Sequence, residues 1–289
     1  MTAAAAAPAP VGEADLERRF GGLRRLYGGA GYEALRRLRV AVAGVGGVGS
    51  WAAEALARCG IDTLVLVDLD HVAESNVNRQ VQALGSSLGQ AKVLALQQRV
   101  ADIHPGCRVH AVERFVEPGH WPQLLPVDVD VTIDACDQRT AKLAMAQHAL
   151  QCRRPLVVAG AAGGKRHGHR VEVGDLAEVT HDPLLASLRQ ALRRHHGAAR
   201  QGRIGLRCVF SREPVAAPLG PDGCATDGSL NCQGYGSVVT VTAAFGLAAA
   251  GEAIELGLAA AHATRAVDDA MMRGSADRVV SSVGRAADF

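Results

Sequence analysis

The chain is predicted to be α/β, a Rossmann-like doubly wound and mostly parallel sheet with a C-terminal elaboration. Three observations lead there. Short apolar runs at 39–43, 63–67, 108–112, 129–133 and 155–159 alternate with helix-period segments near 48–59, 88–103 and 138–152, the pattern of a parallel sheet covered on both faces. The first run, Val40-Ala41-Val42-Ala43, passes straight into Gly44-Val45-Gly46-Gly47-Val48-Gly49 and then Ser50-Trp51-Ala52-Ala53-Glu54-Ala55-Leu56, which reads as strand, glycine turn and helix. The second run ends at Asp68, about 20 residues past the glycines, where a carboxylate normally holds ribose hydroxyls.

Each element has a local chemical reason. Residues 1–14 open on an Ala/Pro run with neither a basic segment nor large apolar residues; a disordered tail is expected and a secretory signal is not. Glycines let the turn at 44–49 take positive φ and let a ligand approach, while the first helical N–H groups and the helix dipole attract anionic oxygens. The helix over 138–152 opens after Asp137, a residue type suited to an N-cap, and continues with Ala141, Lys142, Leu143 and Met145, which are good helix formers or close to them. In such sheets ligands bind outside the carboxyl ends of the strands, so Gly44, Asp68, Asp134 and Gly160 are expected to face one crevice. Beyond Gly163-Gly164 the pattern loosens into a strand at 170–173, a helix near 182–196 and a strand at 206–210.

The longest apolar stretch, Val238 to Ala250, covers 13 residues, fewer than the ~20 that span a bilayer, so a buried helix is expected rather than membrane contact. From about Ala261 the chain turns Ala-, Asp- and Arg-rich and a flexible tail is expected. No internal repeat and no linker is visible, which gives one domain over 15–260, elaborated from about residue 165.

Composition bounds the function. In 289 residues, 48% apolar content supports a sizeable core. A net charge of +2 advertises no global nucleic-acid field, so a local patch must carry any such role; no DNA partner is expected. Seven cysteines without a C-x-x-C pair argue against a disulfide framework and a zinc ribbon, and a reducing cytoplasm is the default.

A lone glycine turn leaves the nucleotide open, because oxidoreductases and ATP-using enzymes share it. The residues beyond Asp68 are more specific: Asp70, then Asn76-Val77-Asn78-Arg79-Gln80, then Lys92 in Gly89-Gln90-Ala91-Lys92, and Asp137 in Asp134-Ala135-Cys136-Asp137. A dinucleotide has no need of Arg, Lys and a second carboxylate at one crevice, whereas a triphosphate with magnesium does. Arg79 and Lys92 suit phosphate oxygens and the charge that develops as pyrophosphate leaves, and Asp137 suits magnesium. An NAD-dependent oxidoreductase is the alternative these three residues oppose. No Ser-His-Asp or Cys-His constellation is evident.

Taken together, GVGGVGSWAAEALARCGI, LVDLD, SNVNRQ, GQAK and IDACD over about 39–160 resemble the ATP-binding core of the E1-like, ThiF-type adenylating superfamily, which includes ubiquitin-activating enzymes and the molybdopterin- and thiamine-pathway adenylyltransferases. The resemblance implies that Asp68 binds the ribose, that Asn76 and Arg79 meet the phosphates, that Lys92 contacts the α-phosphate region and that Asp137 organises magnesium. Gly44, Gly46, Gly47, Gly49, Asp70 and Gln80 complete the expected ATP site, and Arg79, Lys92 and Asp137 its catalytic set. Arg79 can be donated across a dimer interface in this family, which implies a homodimer.

A narrower resemblance starts at Arg19-Phe20-Gly21-Gly22-Leu23-Arg24-Arg25-Leu26-Tyr27-Gly28 and continues through Gly160-Ala161-Ala162-Gly163-Gly164, Val173-Gly174-Asp175-Leu176-Ala177, Asp182-Pro183-Leu184 and Arg207-Cys208-Val209-Phe210-Ser211. Over about 19–256 the chain is similar to the tRNA threonylcarbamoyladenosine dehydratases. This implies ATP-dependent activation of a threonyl carboxylate on adenosine 37 of tRNA, ring closure and net loss of water. It also suggests a cysteine desulfurase or sulfur-acceptor partner. The alternative within the superfamily is adenylation of the C-terminus of a ubiquitin-like sulfur carrier, whose zinc-binding C-x-x-C pairs are missing here.

Between Ser187 and Arg207 lie Arg189, Arg193, Arg194, His195, His196, Arg200 and Arg203 without one acid. Read plainly this is a solvated helix face and loop; under the resemblance, Arg189, Arg193, Arg194, Arg200 and Arg203 form an RNA-backbone patch. Lys165, Arg166, His167, His169 and Arg170 extend it, two histidines alone being a poor metal site, and 3% aromatic residues leave little for base stacking. Superfamily cysteines sometimes carry thioesters or sulfur. Cys208 reads as buried and inert, while Cys224 and Cys232 lie in a Gly/Asp/Ser-rich loop.

Overall fold

The computed structural model describes residues 14–216 and 235–283. Seven strands form one sheet in the order β3-β2-β1-β4-β5-β7-β6: β1 (Arg39–Ala43), β2 (Thr63–Val67), β3 (Arg108–Val112), β4 (Val131–Asp134), β5 (Leu156–Ala159), β6 (Val171–Asp175) and β7 (Arg207–Ser211). All pairings are parallel except β6 on β7, the antiparallel edge. Strand order reverses between β1 and β4, where a ligand crevice is expected.

Alternation along the strands feeds two cores. Val40, Val42, Leu64 and Leu66 enter one with Ala52, Leu56, Leu96 and Phe245; Ala41, Ala43, Val65 and Val67 enter the other with Met145, Leu185, Leu188 and Phe210. The first face is covered by α3 (Gly49–Arg58), α4 (Lys92–Ile103) and α7 (Val239–Val283), the second by α5 (Arg139–Cys152) and α6 (Pro183–His195). A buried carboxylate ties α3 to α4: Glu54, 4% exposed, lies 2.7 Å from the exposed Arg58 and 2.6 Å from Arg99.

Expected and observed bounds differ where backbone geometry intervenes. The helix expected from residue 88 starts at Lys92, because Gly89 holds φ +80° and cannot be helical. Asp137 is not the N-cap of α5; Gln138 is, and its side chain makes no capping bond. The α7 helix is far longer than the 13-residue apolar run and continues past residue 261, into the segment expected to be a flexible tail. By length and composition alone Val239–Ala263 could cross a membrane, yet 44% of its most apolar stretch is buried. Val241, Phe245, Ala249, Ala253, Ile254 and Leu258 form a buried stripe at helical spacing. Gly246 admits the contact with α3: a Cβ there would overlap Val48 O and come within 2.7 Å of Trp51 Cβ.

Two N-terminal helices, α1 (Leu16–Phe20) and α2 (Gly22–Leu35), clamp the end of α4. Arg19 Nη1 donates to Asp102 O and Ile103 O at 3.0 and 2.7 Å, satisfying carbonyls that a helix end leaves open. Phe20 meets the His104 ring edge-on at 4.7 Å. Arg36 Nη1 lies 3.0 Å from His104 Nε2 and also donates to Gly60 O. The Arg19-Phe20 motif is therefore a latch between the chain's start and the sheet.

The latch has a pH signature. Burial, then the nearby Arg36 guanidinium, pushes the His104 pKa from 6.5 down to about 4. Across that window the unfolded chain binds a proton that the folded one excludes, so stability is full above pH 6.5 and falls as pH drops toward 4. Urea unfolding from pH 7 to 4 should cost the wild type on the order of 2–3 kcal/mol more than His104→Gln; equal losses would refute this.

Candidate active site

The crevice is built outward from the end of β1. Gly44 takes φ +82°, its N–H donates to Val67 O at 2.8 Å, and a Cβ on it would sit 2.9 Å from Ala135 O. A Cβ on Gly49 would overlap Gly44 O. These two glycines make the turn sterically possible. Gly47 faces Thr242 of α7, with 3.1 Å available for a Cβ, and Gly46 stands open beside Gln80.

Asp68, just past β2, reaches back to the turn. Its Oδ2 accepts from Val45 N–H at 2.8 Å and its Oδ1 from Asp70 N–H at 2.9 Å. Burial raises the carboxyl pKa, against the pull of Lys92 and those two N–H groups. Lys92, the first residue of α4, is 6% exposed and its ammonium lies 2.7 Å from Asp70 Oδ2. A phosphate oxygen would thus compete with Asp70 for Lys92.

The segment from 74 to 82 wraps the other side. Asn76 is buried and its Oδ1 accepts from Ala73 N–H at 3.0 Å. Arg79 is half-buried. Its Nη1 donates to Ser75 O at 2.7 Å and Asn78 Oδ1 at 2.9 Å, while its carbonyl accepts from Trp51 Nε1 at 3.0 Å and Thr242 Oγ1 at 3.3 Å. Gln82 Nε2 holds Val45 O at 2.8 Å and Gln80 Oε1 at 3.4 Å. The helices α3 and α7 therefore fix the backbone of Arg79 against the glycine turn.

Beyond β4, Asp137 is half-buried and its carboxylate has no hydrogen-bond or ion-pair partner among the described residues. Asp134 does not line the crevice as expected: it is 0% exposed, with Oδ2 3.0 Å from Lys142 Nζ and Oδ1 accepting from Cys136 N–H at 3.1 Å. Residues at the end of a buried strand alternate faces, and Asp134 takes the inward one. Past β5, Asp182 fills the space a Cβ on Gly160 would need, and accepts from Ala161 N–H and Leu185 N–H at 2.8 and 3.0 Å. Sequence reading missed Lys142 and Asp182; their signal, an ionisable residue inside or opening a helix behind the crevice, has no pattern of its own.

The arginine run divides. Arg189 is turned inward, its Nη1 donating to Leu176 O at 3.0 Å and Val179 O at 2.7 Å, so it serves the fold rather than an RNA phosphate. Arg193 donates to Ala199 O at 3.0 Å. Arg203 is 72% exposed, 3.9 Å from Asp175, and Arg194 and Arg200 are exposed. Cys208 is 0% exposed and burial pushes its thiol pKa up, which makes it inert. The five described cysteines are free, and among the described residues no three His, Cys, Asp or Glu side chains group as a metal site. Cys224 and Cys232 lie outside the described residues.

A glycine turn at the topological switch point of an α/β sheet, with Asp68 bonded to it, Lys92 paired to Asp70 and the Arg79 backbone held beside it, is the arrangement at which folds of this class take their ligands. The chain belongs to the ThiF family, whose profile matches residues 20–271. It is 39% identical over 249 residues to the tRNA threonylcarbamoyladenosine dehydratase of Escherichia coli (strain K12), covering 82% of this chain and 92% of that one. It is 34% identical over 242 residues to the enzyme of that name from Haemophilus influenzae, covering 83% and 93%. Its fold matches the crystal structure of the E. coli protein in complex with ATP at TM-score 0.77 and 38% identity, over 87% of this chain and 99% of that one.

Asp68 closes the turn and stands where a ribose is held in folds of this type. Asp68→Ala should weaken ATP binding roughly ten- to hundredfold, equivalent to about 1.4–2.7 kcal/mol. Calorimetric titration of folded variant with ATP checks this; unchanged affinity would remove Asp68 from the site.

Proposed function

We propose that the chain is an ATP-dependent tRNA threonylcarbamoyladenosine dehydratase. The observation that carries this reading is the Asp137 carboxylate, without a hydrogen-bond or ion-pair partner among the described residues, on the loop that packs against the glycine turn through Ala135, over a fold similar along most of its length to proteins of that name. A carboxylate is a poor electrophile. The threonyl carboxylate oxygen attacks the α-phosphorus of ATP and pyrophosphate departs. The carbamoyl group on the same side chain then attacks the acyl carbon, AMP leaves and a ring closes. The net change is loss of one water from the nucleoside.

The protein's part is to position, desolvate and stabilise charge. The glycine turn and the start of α3 receive phosphate oxygens through backbone N–H groups. Asp68 holds the ribose. Lys92, exchanging Asp70 for phosphate, and Arg79 stabilise the charge on the departing pyrophosphate, with Asn76 and Gln80 at its edge. Asp137 fits a magnesium ion, since a hard ion of this kind takes one or two carboxylates and completes its shell with phosphates and water. When bound, magnesium neutralises phosphate charge.

The exposed Arg194, Arg200 and Arg203 supply contacts to the RNA backbone; a homodimer, through the family's donation of Arg79 across an interface, and a cytoplasmic location belong to this proposal. A sulfur-transfer partner remains part of this proposal through the family alone. Incubation of the protein with ATP, magnesium and threonylcarbamoyladenosine-containing tRNA, followed by nucleoside mass spectrometry, should show loss of one water; unchanged RNA sinks the reading. Pyrophosphate release that requires a small carrier protein would replace it with the sulfur-carrier alternative. Arg79→Ala is expected to cut turnover by about 100-fold or more without unfolding the protein; near-normal activity would remove Arg79 from the mechanism.

A further inference from the structure

Lys142 takes no part in the chemistry above, yet it is 1% exposed and paired with a carboxylate that is 0% exposed. We propose that Lys142 is a positioning residue for adenylation: acting through Asp134, its ammonium holds the loop leaving β4 in the shape that keeps Asp137 beside the glycine turn. The reaction it serves rests on the dehydratase reading; the geometry does not.

The link from β4 to α5 is only residues 135–138, and little holds it. Ala135 N–H donates to Ala43 O at 2.8 Å, and its carbonyl packs against Gly44. Gln138 caps α5 without a side-chain bond, and Asp137 has no hydrogen-bond or ion-pair partner among the described residues. Among the described residues the one side-chain anchor is Asp134 Oδ1, which accepts from Cys136 N–H at 3.1 Å and starts the bend that delivers Asp137. The other oxygen of Asp134 lies 3.0 Å from Lys142 Nζ, and the same ammonium donates to Ala159 O at 2.8 Å. A single cation thus ties the ends of β4 and β5 to the first turn of α5 and sets how the Asp134 carboxylate is turned.

Stability alone does not explain the pair, because apolar side chains of similar volume often serve a core as well or better than a buried ion pair. Apolar side chains offer no acceptor to Cys136 N–H. Orientation of the loop is what they cannot supply.

Two double variants separate position from stability. Asp134→Asn with Lys142→Gln replaces charges by amides and retains an acceptor for Cys136; Asp134→Leu with Lys142→Met fills the space and retains none. Both are expected to melt close to the wild type and to bind ATP normally without metal. The amide pair, which keeps an acceptor for Cys136 N–H but loses the ammonium, should lose less turnover than the apolar pair. The apolar pair should lose about 10- to 100-fold in kcat with little change in KM for ATP, and need roughly tenfold more Mg2+ for its half-maximal effect on ATP affinity. Wild-type turnover and magnesium response in the apolar pair overturn the proposal, as does a loss in both pairs that tracks their melting temperatures.

Should the apolar pair fail to fold, Lys142→Gln alone decides: a raised Mg2+ requirement at unchanged metal-free ATP affinity supports the proposal, and an unchanged requirement overturns it. If wild-type protein leaves tRNA unaltered, the dehydratase reading fails by itself. The magnesium titration of ATP binding still reads whether Lys142 positions Asp137.

Discussion

The crevice depends on a turn that has no room for side chains. Gly44 and Gly49 approach so closely that a Cβ on the second would occupy the place of the first one's carbonyl oxygen. That closeness lets α3 start directly over the end of β1, with its N–H groups aimed at the space a phosphate would enter. It also lets Ala135, after β4, lie against Gly44, so the loop bearing Asp137 is set by the same turn. On the far side Gly246 brings α7 onto Val48 and Trp51, and Thr242 of that helix reaches Gly47 and the carbonyl of Arg79. Ligand access and packing thus impose one steric requirement.

Around this turn the loops at the strand ends are held by polar side chains withdrawn from water. Asp134 with Lys142 secures the exit of β4, and Asp182 secures the exit of β5. Further out, Lys165, 2% exposed, donates to Ser211 O and Glu213 O at 3.1 and 2.7 Å. The Glu213 carboxylate accepts from Arg166 and His167 N–H groups at 3.0 Å each. A buried charge left without its partner is costly, so each anchor allows its loop few alternative shapes. Catalysis by positioning and charge stabilisation requires loops of that kind.

Legibility depends on the range of the interaction that decides each feature. Strands β1 and β2 fall where apolar runs place them, because burial of contiguous Val, Leu and Ala is written locally. The start of α4 is displaced by one backbone angle at Gly89. The N-terminal latch was visible as a motif but not as a structure, since Arg19 and Phe20 acquire their role only against Ile103 and His104, 84 positions away. Arg189 looked like part of a basic surface; Arg194, Arg200 and Arg203 of the same run are exposed, and only the fold of residues 176–179 turns Arg189 inward.

By itself the sequence determined the α/β order of elements, the glycine turn and the residue types offered to a nucleotide, because each rests on backbone freedom, apolar periodicity or charge within a short stretch. The tertiary structure decided which of those groups are available. It placed Asp134 inside with Lys142, left Asp137 without a partner among the described residues, paired Lys92 with Asp70, and laid one face of α7 in the core. Those outcomes depend on contacts between segments far apart in the chain, and a side chain's exposure and partners exist only once the segments have packed.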